Sequence, residues 1–168
     1  EVYLRAMERV LAEGKTALCL VPEISLTPQT VRRFERRFQE PIGVSHSQMT
    51  RREKRRLARR IETGEIRVVI GARSAVFAPF ANLGMIVVDE EHDGSYKQNE
   101  TPRYNARDVA LVRAQRLKIP VVLGSATPSL DSYANVAAGK YRLLELPDRP
   151  TGAAMPAVEV VDMGTEAL

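Results

Sequence analysis

The sequence predicts an α/β domain: a mainly parallel sheet with helices on both faces. Short apolar runs alternate with segments of helical spacing along most of the chain. The runs are continuous rather than alternating, as strands covered on both faces require. At 168 residues and 44% apolar composition the chain is long enough for one domain with a sizeable core.

The elements follow in order. Val2, Ala6, Met7, Val10 and Leu11 recur at helical spacing, and Gly14 is a natural stop. Ala17 to Val21 reads as a buried strand. Thr27-Pro28 has the form of an N-cap followed by proline at the first helical position, with Val31, Phe34 and Phe38 as the apolar stripe. Ile42 to Ser45 is a weaker strand pattern. Thr50 with Glu53 fits a capping box, opening a basic helix that stops near Gly64. Ile66 to Ile70 and Gly84 to Val88 are strands. Asn105 caps a helix carrying Val109, Val112 and Leu117, and Pro120 to Leu123 is a further strand. Thr127-Pro128 repeats the cap-and-proline signal for a helix ending at Gly139, and Arg142 to Leu146 reads as a last strand. These elements make residues 1–146 one lobe. Residues 147–168, where Pro147, Pro150, Gly152 and Pro156 cluster, read as a linker, with Val158 to Val161 opening the next region.

Composition narrows the function. No apolar run approaches the roughly 20 residues of a membrane span, and no secretory signal is visible, so a cytoplasmic protein is expected. Cys19 is the single cysteine, which excludes a disulfide framework and a multi-cysteine zinc site. The net charge is +4. Between Arg32 and Arg60 the basic residues are Arg32, Arg33, Arg36, Arg37, Arg51, Arg52, Lys54, Arg55, Arg56, Arg59 and Arg60, opposed by Glu35, Glu40 and Glu53. Such helices are either solvated faces or a nucleic-acid face.

The chemistry gathers at the carboxyl ends of the strands, where open α/β sheets bind ligands. Val21 leads to Pro22-Glu23, Ile70 to Gly71-Ala72-Arg73-Ser74, Val88 to Asp89-Glu90-Glu91-His92, and Leu123 to Gly124-Ser125-Ala126-Thr127. The layout after Val88 is that of a DExH box. Asp89 would hold magnesium, through water, since this hard cation takes few carboxylates and keeps several waters. Glu90 would orient and deprotonate the water that attacks a terminal phosphate. His92 would reach the phosphate or the hydroxyls of Ser125 and Thr127. The plain alternative is a solvated acidic turn. Gly14-Lys15-Thr16 imitates the end of a phosphate loop, but Arg9 stands where the first glycine belongs. There a helix precedes and a strand follows, the reverse of what phosphate binding at a helix N-terminus needs.

These motifs together resemble the PriA family of bacterial replication-restart helicases, also called primosomal protein N′, over nearly the whole chain. Leu20 to Gln29, with its Pro22-Glu23-Ile24 core, resembles the family's motif Ia, and Gly71 to Phe77 its next DNA-side motif. Asp89 to Asp93 resembles motif II, and Gly124 to Ser129, with Ser125-Ala126-Thr127, the coupling motif III. Gly94 to Asp108 resembles the aromatic-rich loop that senses single-stranded DNA and couples it to ATP hydrolysis. There Tyr96 and Tyr104 offer faces for bases, while Lys97, Arg103 and Arg107 offer charge to phosphates. Two departures stand out, Ala72 where the family usually has threonine and Asn105 where it usually has histidine.

The resemblance implies a RecA-like P-loop NTPase lobe of an ATP-dependent, magnesium-dependent 3′→5′ superfamily 2 DNA helicase. It implies single-stranded and forked DNA as substrates, and primosome and replication-restart proteins as partners. It also implies a second motor lobe, a Walker A loop immediately before Glu1, and zinc only in parts of the parent protein not represented here. Alone, these 168 residues are expected to be inactive as an ATPase. Another superfamily 2 translocase, or a non-catalytic DNA-binding or docking module on the same fold, stays open at this point.

Overall fold

The structure, a computed structural model, describes residues 1–147. The described chain falls into two compact units, Glu1–Asp131 and a second beginning at Ser132. The first holds a five-stranded sheet in the order β2-β3-β1-β4-β7, with β1 (Thr16–Leu20) central, β2 (Ile42–Ser45), β3 (Val68–Gly71), β4 (Leu83–Val88) and β7 (Val121–Leu123). Every neighbouring pair is parallel, so all five carboxyl ends open on one edge.

Both faces of the sheet are buried, which explains the unbroken apolar runs. Ala17, Cys19 and Val21 turn to one side and pack with Leu4, Met7 and Leu11 of α1 (Val2–Ala12) and with Phe34 and Phe38 of α2 (Pro28–Phe38). Leu18 and Leu20 turn to the other and pack with Ile61 of α3 (Arg51–Glu62) and with α4 (Ala106–Leu117). The caps at Thr27 and Thr50 form as the sequence predicts. Thr27 Oγ1 accepts from the Thr30 amide at 3.2 Å, and Thr50 and Glu53 close a reciprocal capping box. Cys19 lies inside this core, where burial pushes its thiol well above the usual range.

Three expectations about the elements need correction, and one element was not foreseen. The buried stripe of α4 is Ala106, Ala110 and Ala114, while Val112 and Leu117 are each 49% exposed. Small side chains let this helix lie close to β4, and Arg113 fastens it by donating to the carbonyls of Val76 and Ala78, both at 2.7 Å. The helix α5 (Leu130–Ala137) starts at Leu130 and not at Pro128, because Thr127 and Ser129 are held by the site instead of capping it. Residues 142–147 are not a strand; the chain there makes no ladder. Lys97–Gln98 (β5) and Tyr104–Asn105 (β6) pair as a short antiparallel hairpin that carries no sequence signal of its own. The Val158 to Val161 segment lies outside the described residues.

Candidate active site

Parallel pairing of β4 with β1 and β7 brings Asp89 to the edge between Val21 and Gly124. The Asp89 amide donates to the Leu20 carbonyl at 2.9 Å, and the Glu91 amide to the Gly124 carbonyl at 3.0 Å. Glu90, between them, sits at φ +45°, in the left-handed region. For a glutamate that conformation costs on the order of 1–3 kcal/mol and has to be held by its surroundings.

Asp89 is gripped by two phenols. Tyr3, on α1, donates to Oδ1 at 2.9 Å. Tyr96 donates to the Asp89 backbone carbonyl at 2.6 Å. Oδ2 has no hydrogen bond among the described residues and stays available to a hydrated cation. Among the described residues no cluster of three or more His, Cys, Asp or Glu side chains could hold a metal. A single carboxylate with water and phosphate as the other donors fits magnesium chemistry and not a protein-caged ion. Burial, then the charge on Asp89, pushes the Tyr3 hydroxyl well above the ordinary phenol range.

His92 joins the turn to the end of β7. Its Nδ1 lies 2.7 Å from Ser125 Oγ, and its Nε2 3.4 Å from Thr127 Oγ1. Glu90 Oε2 approaches the same Nδ1 to 3.7 Å. Ser125 Oγ also accepts from the Thr127 amide at 2.9 Å, folding the Ser125-Ala126-Thr127 segment onto itself. Ala126 is exposed and contributes backbone only.

The remaining predicted residues take different places. Pro22 is buried and starts the turn that aims Glu23, whose carboxylate accepts from the Ser47 amide at 3.0 Å. Bonds from the Ser47 side chain and then from its amide lower the Glu23 pKa. Ser74 is exposed. Arg73 reaches to the Asp93–Lys97 segment and donates to the carbonyls of Ser95 at 3.2 Å and Lys97 at 2.8 Å. Lys97 and Arg103 are exposed, and Arg103 donates to the Asn99 carbonyl at 3.1 Å. Tyr104 is half-buried and meets Phe77 edge to face, with ring centroids 5.1 Å apart.

Tyr96 and Arg107 do not present what the sequence suggested. Tyr96 is 1% exposed and packed in the core, so in this conformation its ring offers no face to a base. Burial pushes its hydroxyl far above the usual range. Arg107 turns inward to Glu91, at 3.0 Å, and away from any phosphate.

Sequence reasoning missed Tyr3, Glu91 and Ser129, and gave Arg107 to phosphates instead of to Glu91. One signal was available. Three successive carboxylates leaving a buried strand cannot all be solvated, and the inward one needs a cation. Gly124 was also undervalued: a Cβ there would lie 1.6 Å from the Tyr3 hydroxyl, so only glycine admits the Tyr3–Asp89 bond.

Comparison with known proteins shows the family. The family described as DEAD/DEAH box helicase matches residues 1–136. Replication restart protein PriA of Bacillus subtilis is 55% identical over 166 residues, 99% of this chain and 21% of the relative. The protein of the same name from Haemophilus influenzae is 50% identical over 97% of the chain and 22% of its own length. That from Treponema pallidum is 48% identical over 100% of the chain and 26% of its own length. The chain thus spans about a fifth to a quarter of these relatives. The resemblance to PriA read from the motifs is borne out over nearly its full length. Among solved structures, the C-terminal part of the Fun30 ATPase domain superposes with a TM-score of 0.54 at 9% identity, over 87% of this chain and 46% of that one. That likeness speaks for the fold alone, and the fold is that of a RecA-like lobe. The family match over residues 1–136 means that the chain belongs to the DEAD/DEAH box helicases.

Proposed function

We propose that this chain is the first RecA-like motor lobe of a PriA-type ATP-dependent DNA helicase that moves 3′→5′ and acts in replication restart. The observation that carries the reading is the linkage of Glu90 and His92, in the turn that Asp89 opens, to Ser125 and Thr127 at one sheet edge. Such a linkage lets the state of a bound nucleotide be felt at the end of β7.

Asp89, fixed by Tyr3 and Tyr96, would hold a hydrated magnesium ion with its free carboxylate oxygen. The magnesium ion, when bound with ATP, neutralises charge developing on the phosphates. Glu90 orients the attacking water and accepts its proton. His92 bridges Glu90 and the Ser125 hydroxyl, so a shift at Glu90 moves the Ser125–Thr127 segment. A phosphate loop elsewhere in the helicase would supply the nucleotide cradle. The exposed side chains of Ser74, Lys97 and Arg103, together with Pro22, Glu23, Arg73 and Tyr104, form the DNA side of the lobe. Arg73 ties that side to the DExH turn through Ser95 and Lys97. Primosome proteins and a second motor lobe complete the assembly.

The test is DNA-stimulated ATP hydrolysis by the intact helicase containing this segment. Glu90→Gln should abolish turnover while leaving ATP binding in place. A Glu90→Gln protein that turns over at the wild-type rate would refute the assignment. ATP hydrolysis on DNA by the 168-residue chain alone would refute the separate phosphate loop.

A further inference from the structure

The left-handed conformation of Glu90 has to be enforced from both sides. Before it, Asp89 is fixed by the Leu20 carbonyl and by Tyr96. After it, the chain turns sharply enough for the Glu91 side chain to point into the protein, where the residue is 3% exposed. Its carboxylate accepts from Arg107 Nη1 at 3.0 Å, from the Ser129 amide at 2.7 Å and from Ser129 Oγ at 3.2 Å. Arg107 Nη1 also donates to Ser129 Oγ at 3.0 Å, closing a triangle. One buried carboxylate therefore joins the DExH turn, the first turn of α4 and the segment leading into α5.

Burying such a pair gains little stability over apolar residues of the same size, because desolvation offsets the attraction. What it does supply is direction. With the Glu91 carboxylate anchored inward and its amide on Gly124, the preceding residue cannot relax to negative φ without breaking those bonds. Glu90 is thereby left facing outward beside His92.

We propose that Glu91, with Arg107 and Ser129, is a positioning device that sets the aim of Glu90 and His92. This rests on the reading of Asp89, Glu90 and His92 as the hydrolytic site. Glu91 touches no reacting atom; it acts through the backbone of the turn.

Two measurements test it. In the 168-residue chain, hydrogen exchange should show amide protection at Glu91, Asp93 and Ser129 falling at least about tenfold in Glu91→Gln and Arg107→Ala, with β1 and β4 unchanged. In the intact helicase, the same variants should lower kcat by up to roughly 100-fold, the cost of a small misplacement, with the KM for ATP within about twofold. Arg107→Lys, which keeps the charge without the planar fork, should recover part of that loss. Unchanged protection at the three amides overturns the clamp. Changed protection with wild-type kcat, or with only a lowered melting temperature, overturns the positioning role while leaving the proposed function intact. Absence of any ATP hydrolysis by the wild-type helicase overturns the functional reading and the positioning role with it, whatever hydrogen exchange shows.

Discussion

Tyr3 and Asp89 stand 86 positions apart in sequence, and the phenol of the first donates to Oδ1 of the second across 2.9 Å. The bond fixes one carboxylate oxygen and leaves its twin for other work. Tyr3→Phe should therefore destabilise the chain by about 0.5–1.5 kcal/mol, the usual net value of one hydrogen bond. Urea unfolding would measure it. The pH dependence has a definite sign. Tyr3 and Tyr96 both ionise far less readily in the folded protein than the ordinary phenol at about pH 10. Their contribution is complete below that value and is lost as pH rises through the folded pKa. Stability should fall above about pH 10, less steeply in Tyr3→Phe. An identical alkaline slope in the two proteins would refute the coupling.

Gly124→Ala is the steric counterpart. The new methyl would sit 1.6 Å from the Tyr3 hydroxyl, and one of the two must move. Overpacking of this kind costs typically about 1–3 kcal/mol. The loss should be smaller in a Tyr3→Phe background, since the clashing hydroxyl is gone. A double-mutant cycle checks this, and strict additivity would show that the two residues do not meet.

Acid should loosen the turns flanking the site. Bonds from the Ser95 side chain and amide lower the Asp93 pKa, and bonds from Ser47 lower that of Glu23. A depressed carboxylate stabilises the fold above its unfolded pKa, about 4, and that contribution disappears as pH falls through the folded value. Asp93→Asn should flatten the acid limb of the stability curve below about pH 4. Chemical denaturation at pH 7 and pH 3 would show it, and an unaltered limb would count against the Asp93–Ser95 turn.

The basic face of α3 is open to solvent along Arg51, Arg52, Lys54, Arg55 and Arg56. If it follows a DNA backbone, Arg52→Glu with Arg55→Glu should weaken binding of single-stranded oligonucleotides without altering the fold. The slope of log K against log salt should fall by about 0.7 for each phosphate contact removed. An unchanged slope would leave α3 a solvated face.

The sheet was legible because its strands are short apolar runs with both faces buried, a pattern that continuous Val, Ile and Leu advertises. The caps at Thr27 and Thr50 were legible because capping is chemistry between residues three apart. The start of α5 was not, since the competing partner of Ser129 is Glu91, 38 positions earlier. The alanine face of α4 was hidden for a related reason. Closeness to β4 selects small residues, and hydropathy alone favours Val112 and Leu117. The family resemblance made Tyr96 a stacking platform, but a hydroxyl that finds a buried carbonyl draws the ring inward.

The strand that leads to Ser125 and Thr127, β7, is three residues long and among the described residues pairs on one side only, with Ile86, Val87 and Val88. Such a strand opens at far lower free energy than the central ones. The histidine contact thus reaches from one of the most durable parts of the lobe to one of the most yielding, and brief fraying of β7 would disconnect it while β1 and β4 kept the carboxylates in place.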